Sequence, residues 1–200
     1  MDIILASASP RRAKLLRQAG IPFRVIYPSV SEKFEESEDP EKIVLKLAYD
    51  KAAIVAGKIE HGYIIAADTL VVFENNILGK PKDREDALRM LQRINGKMHK
   101  VITGLVLFDA ASKNWLEGVA VTKVWFKKLS DDAIDAYLDT GEPLDKAGAY
   151  GIQEKAALFV EKIEGCYTNV VGLPLGLLYN MMNQMNVSLW LNRKDGDHAK

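Results

Sequence analysis

Two hydroxyls and two guanidinium groups fall within six residues near the start of the chain: Ser7, Ser9, Arg11 and Arg12. Pro10 stands between the pairs and marks a helix start, with Ser9 at the N-cap and a ring lacking N–H at the first helical position. A helix start already carries partial positive charge, so basic side chains are out of place there unless they serve an anion. Arg11 and Arg12 precede Leu15 and Leu16 by four, so neither faces only solvent. Hydroxyls, guanidinium groups and unpaired backbone donors together suit an anion such as phosphate. Taken alone, the stretch also fits a capped surface helix whose arginines pair with acids elsewhere.

Two further residues are oddly placed. Ile43, Leu47 and Ile54 recur at core spacing, and the position that completes the stripe is Lys51. Such a lysine either snorkels along an edge or points its ammonium into a site. Asp68 sits inside residues 63–73, the most apolar stretch of the chain. A carboxylate there is costly unless it is paired or bound to a metal. The alternative is an aspartate capping a turn at a break between two strands. Lys80 follows Gly79 at an exposed corner.

Collected, Arg11, Arg12, Lys51 and Lys80 supply cations, Ser7 and Ser9 hydroxyls, and Asp68 and Glu32 carboxylates able to hold a divalent ion. That set calls for a polyanion. The chain has neither Gly-x-x-x-x-Gly-Lys-Ser/Thr nor Gly-x-Gly-x-x-Gly, which argues against a P-loop and a dinucleotide fingerprint. Clustered Cys/His ligands are absent too, which argues against zinc. Oxygen ligands beside cations are what magnesium-assisted phosphate chemistry uses. His99 is expected on the surface of its strand, with no other histidine at ligand spacing.

The elements that must position these groups alternate between strand and helix. Residues 1–6 read as a buried strand, Pro10 to Gly20 as a helix and 22–27 as a second strand. Residues 28–39 form a polar, acidic loop without a clear period. Asp39-Pro40 opens a helix that Gly57 ends. Residues 63–73 make a central strand or pair of strands, and Glu74-Asn75-Asn76 a hairpin turn. Asp83 caps a helix running to Ile94. Residues 98–108 and 115–127 read as a hairpin, with Val119, Val121 and Trp125 as the half-buried alternation. A short helix begins at Ser130 and ends at Thr140-Gly141. Residues 142–153, rich in glycine and polar groups, suit a binding loop. A strand at 158–163 and a closing helix at 175–185 follow. That helix is apolar nearly all round, so it packs into the core or into a homodimer interface.

Composition sets outer bounds. Two hundred residues, 48% apolar and 27% charged, fit one globular domain or two small lobes sharing a core. Acids and bases number 27 each, so no global basic field supports nucleic-acid binding. The single cysteine, Cys166, excludes an internal disulfide framework and fits a reducing compartment. No apolar run is long enough to span a bilayer, and Arg11, Arg12, Lys14 and Arg17 interrupt any leader-like stretch. A cytoplasmic protein without membrane attachment is expected.

Five blocks then fall into one order: Leu5-Ala6-Ser7-Ala8-Ser9-Pro10-Arg11-Arg12, Ala67-Asp68-Thr69, Gly79-Lys80-Pro81, Glu142-Pro143 through Asp145-Lys146 to Ile152-Gln153, and Asn169-Val170-Val171-Gly172-Leu173-Pro174. Together they resemble the Maf family of nucleoside triphosphate pyrophosphatases. The resemblance implies an α/β fold of two lobes around an elongated, twisted mixed β-sheet flanked by helices, with the nucleotide cleft between the lobes. It implies one pyrophosphatase domain, taken as residues 1–191; the polar residues 192–200 are read from their own composition as a disordered tail. The implied activity converts a nucleoside triphosphate to the monophosphate and pyrophosphate with a divalent cation, Mg2+ or Mn2+, and so clears non-standard nucleotides.

By position, Asp68 matches the family's proton acceptor, and Arg12, Thr69 and Gln153 match positions that set substrate choice. Ser7, Glu32, Lys51 and Lys80 match other site positions. Glutamine at 153 is similar to the branch acting on dTTP and UTP; the branch acting on 7-methyl-GTP carries a different motif there. After Gln153 the chain has Glu154-Lys155, where relatives often have glycine, which bears on the shape of the loop. A rival from another class is a non-catalytic nucleotide sensor regulating cell division, which would release no pyrophosphate.

Overall fold

The computed structural model describes residues 2–30 and 38–188. Its centre is one seven-stranded mixed sheet. The strands are β1 (Ile3–Leu5), β2 (Arg24–Val25), β3 (Tyr63–Phe73), β4 (Asn76–Leu78), β5 (Met98–Asp109), β6 (Trp115–Phe126) and β7 (Val160–Glu164). The order is β2-β1-β3-β5-β6-β7, with β4 also paired to β3. The pairs β2/β1 and β1/β3 are parallel; the others are antiparallel. An α/β fold with helices on both faces of an open mixed sheet is therefore what the chain adopts.

Helices α1 (Pro10–Gln18), α2 (Pro40–Ala56), α3 (Arg84–Ile94), α4 (Asp131–Leu138), α5 (Tyr167–Val171) and α6 (Leu175–Gln184) complete the described structure, with three short 3-10 turns between Glu142 and Phe159. The alternation of β3 sorts them. Ile64, Ala66, Leu70 and Val72 pack with α2 residues such as Ile43, Leu47 and Ala52 on one face. Ile65, Ala67, Val71 and Phe73 pack on the other face, in the large cluster that takes in α1, α3, α4 and α6. Asp68 and Thr69 are neighbours in this strand and therefore look to opposite faces.

Gly104 brings α2 close. It pairs with Asp68 across β3/β5, and a Cβ added there would lie 2.4 Å from the backbone of Val44. Glycine is what lets the helix backbone approach the sheet at this point. Lys51 follows Val44 by seven residues, two turns along α2, and so lies on the same face of the helix.

The structure departs from the sequence reading in several places. Residues 63–73 are one uninterrupted strand, so Asp68 caps no break. The second strand shrinks to two residues because prolines at 22 and 28 bracket an edge strand and withhold donors. On β6 the fully buried positions are Thr122, Val124 and Phe126, while Val121 is 41% exposed. Both faces of that strand carry apolar residues, so hydropathy alone could not set the phase, and α2 covers only part of the outer face.

His99 is the plainest correction. Instead of lying on the surface it is 1% exposed, in edge contact with the rings of Phe126 and Tyr150. Its Nε2 lies 2.7 Å from the Tyr150 hydroxyl. Burial pushes the imidazole down from 6.5 to about 4, so the ring is neutral at pH 7. At the end of the fold, Leu178, Met181 and Met182 of α6 are buried and Tyr179 is exposed, so the helix is one-sided rather than buried all round. Residues 192–200 and Glu32 lie outside the described residues.

Candidate active site

The site arises from a gap in strand pairing. One edge of β3 pairs with β1 as far as Ile65 and with β4 from Val71 onward. Between these partners the edge borders a cavity of about 320 Å³. The parts of the fold around β1/α1 and around β4/α3 thus stand on either side of one opening, at the carboxyl end of β1, where open α/β sheets hold ligands. Ser9, Arg11, Arg12, Lys51, Asp68, Thr69, Lys80 and Gln153 all line the opening. Eight expected site residues, drawn from five separate segments, meet there.

On the α2 side, Lys51 Nζ lies 2.5 Å from Asp68 Oδ1. Both side chains are 9% exposed. A carboxylate in the middle of a buried strand would be prohibitive alone; the ammonium compensates it. Lys51 therefore directs its head into the site and does not snorkel along an edge.

The opposite side is built around Arg12. Its Nε donates to the Gly172 carbonyl at 2.7 Å, Nη1 to Ser7 Oγ at 3.2 Å and Nη2 to Thr69 Oγ1 at 3.0 Å. Thr69 Oγ1 is in turn 2.9 Å from Thr103 Oγ1. The residue is 9% exposed, so the planar fork is fixed by three elements at once. Gly172 closes α5 at φ +115, a conformation that suits glycine and turns its carbonyl toward Arg12. Buried Asn169 anchors α5 to the sheet by donating to the Val101 carbonyl and to Thr122 Oγ1.

Ser9 occupies the N-cap of α1 but makes no side-chain cap bond. Ser7 does the local work instead: its Oγ accepts from the Ser9 N–H at 3.1 Å as well as from Arg12. Ser7 is buried and does not itself line the cavity. The start of α1, with its backbone donors uncapped by Ser9, opens toward the cavity, as an anion requires.

At the rim, Arg11 reaches across to Asp145 at 3.3 Å. Lys146 is missing from the sequence-derived site, yet it lines the cavity and is 5% exposed. Its Nζ donates to the Glu142 carbonyl and to Asp145 Oδ1, both at 2.7 Å, and lies 3.3 Å from Glu154. Burial alone would raise the Asp145 carboxyl, but the hydrogen bond and charge of Lys146, with Arg11 behind them, hold it below the usual carboxylate range. No periodicity in 142–153 betrays that one lysine of this loop is inside. Lys80 is exposed at the mouth and Gln153 is half-buried. Among the described residues no three His, Cys, Asp or Glu side chains cluster to hold a metal.

Known proteins match nearly the whole chain. The Maf-like protein family model matches residues 2–185. A dTTP/UTP pyrophosphatase of Acetivibrio thermocellus is 49% identical over 196 residues, covering 94% of this chain and 98% of that relative. One of Carboxydothermus hydrogenoformans is 50% identical over 184 residues, covering 92% and 98%. One of Alkaliphilus oremlandii is 51% identical over 175 residues, covering 87% and 91%. Among solved structures, the Staphylococcus aureus Ham1 protein aligns over 92% of this chain and 100% of its own, at 13% identity and a TM-score of 0.49.

Proposed function

The chain belongs to the Maf family, and from that premise we propose that it hydrolyses the pyrimidine nucleoside triphosphates dTTP and UTP to the monophosphate and pyrophosphate. The observation that carries this reading is the convergence of the Lys51–Asp68 pair and the Arg12–Thr69 pair from the two sheet faces onto one cavity. Residues 1–191 act as a single pyrophosphatase domain. Clearing non-standard pyrimidine nucleotides in the cytoplasm is the matching cellular role.

The triphosphate lies along the cations. Arg11, Lys51 and Lys80 neutralise phosphate oxygens, and Ser9 with the first backbone donors of α1 holds one phosphoryl group. Ser7 contributes by fixing the turn and the Arg12 fork. Asp68 accepts the proton of a water that attacks the α-phosphorus; the bond from that phosphorus to the bridging oxygen breaks, and pyrophosphate leaves with the bridging oxygen. Lys51, paired with the other side of the carboxylate, keeps Asp68 in place. Arg12 and Thr69 shape the pocket on the far face of the strand, and Gln153 presents a donor and an acceptor to the base edge. A pyrimidine carbonyl and N–H satisfy that amide, and a mismatched base leaves it unpaired.

The donor set suits a divalent cation that arrives with the substrate. Mg2+ or Mn2+ bound mainly by phosphate oxygens and water needs only one or two protein carboxylates. Asp68 at the cavity floor is one, and Glu32 is the proposed second. When bound, the ion supplies charge neutralisation on the phosphates. A homodimer formed through the exposed side of α6, around Tyr179, is part of the same proposal. The reading is tested with a panel of the common nucleoside triphosphates and 7-methyl-GTP in Mg2+, scored by pyrophosphate release: UTP and dTTP should lead the panel.

A further inference from the structure

The segment that carries Gln153 leaves a strained corner. Gly148 and Ala149 stand at φ +68 and +61, two left-handed residues in succession. For alanine that conformation is unfavourable and persists only where the surroundings overdetermine it. Gly148 packs closely on the sheet as well: a Cβ added there would lie 3.0 Å from the Val71 side chain, so only glycine fits at this point of the corner. One tie is visible at the corner itself, where the Gly148 N–H donates to the Gly79 carbonyl at 3.0 Å, next to Lys80.

The second tie is Tyr150. Immediately after the corner the chain becomes extended, and the tyrosine ring drops into the core against Phe126, 4.7 Å between centroids. Its hydroxyl ends 2.7 Å from His99 Nε2. His99 sits on β5, one of the two longest strands and the middle of the sheet. The ring is an awkward choice for filling that space. Its other nitrogen, Nδ1, is buried with no hydrogen-bond partner among the described residues. An orphaned polar atom weakens a fold, and an apolar ring of similar shape would avoid it. What histidine adds over such a ring is one directional bond to Tyr150.

From this arrangement we infer that His99 is a positioning residue for base selection: through Tyr150 it pins the corner at Gly148-Ala149 and so fixes where Gln153 meets the base. The inference rests on Gln153 reading the base, as proposed above. His99 does not line the cavity, so its removal should leave phosphate binding alone. The hydrogen bond also explains why Tyr150, which lines the cavity wall, keeps its hydroxyl turned into the core.

The test uses the full chain and two variants. His99→Phe with Tyr150→Phe removes both polar partners together and leaves no hydroxyl stranded. His99→Gln keeps a group able to bond the Tyr150 hydroxyl. Three readouts are taken: the ratio of kcat/KM for UTP over CTP, inhibition by inorganic pyrophosphate, and hydrogen exchange of the Gly148 and Ala149 amides. The double variant should lose about tenfold in the UTP/CTP ratio, keep pyrophosphate inhibition within about twofold, and exchange those two amides at least about tenfold faster. His99→Gln should recover most of the ratio. An unchanged ratio with unchanged exchange overturns the inference. So does an equal loss for every nucleotide and for pyrophosphate, which would make the pair a general structural prop. Should the wild type itself release no pyrophosphate from UTP, the pyrophosphatase reading falls, and the amide exchange still decides whether His99 holds the corner.

Discussion

Lys51 Nζ and Asp68 Oδ1 meet at 2.5 Å although 17 residues and a change of element separate them. One projects from a helix stripe that should be apolar, the other from the middle of an apolar strand. Each is anomalous by itself and neither is anomalous beside the other. Their meeting depends on Gly104, whose missing Cβ admits α2 against the sheet. The pair is thus a packing result before it is a chemical one.

Replacing Lys51 by Met keeps the stem and removes the charge, leaving a carboxylate buried without this ammonium. Breaking such a pair costs about 3 kcal/mol. Loss of one preorganised charge lowers kcat/KM for UTP by about 10². Denaturant melts and steady-state pyrophosphate release check both effects.

Gly104→Ala places a methyl group against the Val44 backbone, which cannot step aside as a flexible side chain would. Overpacking against backbone costs about 3 kcal/mol. Because α2 must shift, turnover should fall as well, although Gly104 does not line the cavity. Val44→Ala removes only side-chain atoms and should not rescue it.

Arg12→Lys keeps a positive charge but gives up the fork to Gly172, Ser7 and Thr69. The expected loss is about 2 kcal/mol in stability and about 10² in kcat/KM. Parallel thermal melts and kinetics at fixed ionic strength measure it.

The pH dependence of stability has a definite sign. His99 is held at about 4 in the fold against 6.5 unfolded. The unfolded chain therefore takes up a proton between those values and the folded chain does not. Stability contributed by the neutral ring is complete above about pH 6.5, falls as pH drops toward 4, and levels below that. The displacement corresponds to about 3 kcal/mol. Asp145, whose carboxyl is held low chiefly by Lys146 against the opposing effect of burial, adds a loss in the same direction only at lower pH. Urea melts from about pH 7.5 down to about pH 4 should show the decline, and His99→Phe should flatten it over that range.

Much of this was legible in the chain. Ser9-Pro10, Asp39-Pro40 and Asp83 announce three helix starts because capping chemistry is local. Lys51 and Asp68 stand out because each violates the hydropathy of its own element. His99 and Lys146 do not. Both occupy positions where a polar residue is unremarkable locally, and only Tyr150, Asp145 and Glu154, up to 51 residues away, reveal that they are buried. The phase of β6 fails for a related reason: how far α2 extends over the sheet is not written in β6 itself. Ser7 reads as facing phosphate because a hydroxyl in a turn does not disclose which way it points.

The proposed chemistry turns on Asp68. Asp68→Asn preserves size and polarity while removing the carboxylate proposed to take the proton. With UTP and Mg2+, the variant should lose about 10²- to 10⁴-fold in turnover and, by calorimetry, bind the nucleotide about as tightly as the wild type does. Near-normal pyrophosphate release from the Asp68→Asn variant would contradict the role assigned to the carboxylate and, with it, the chemistry proposed for this cavity.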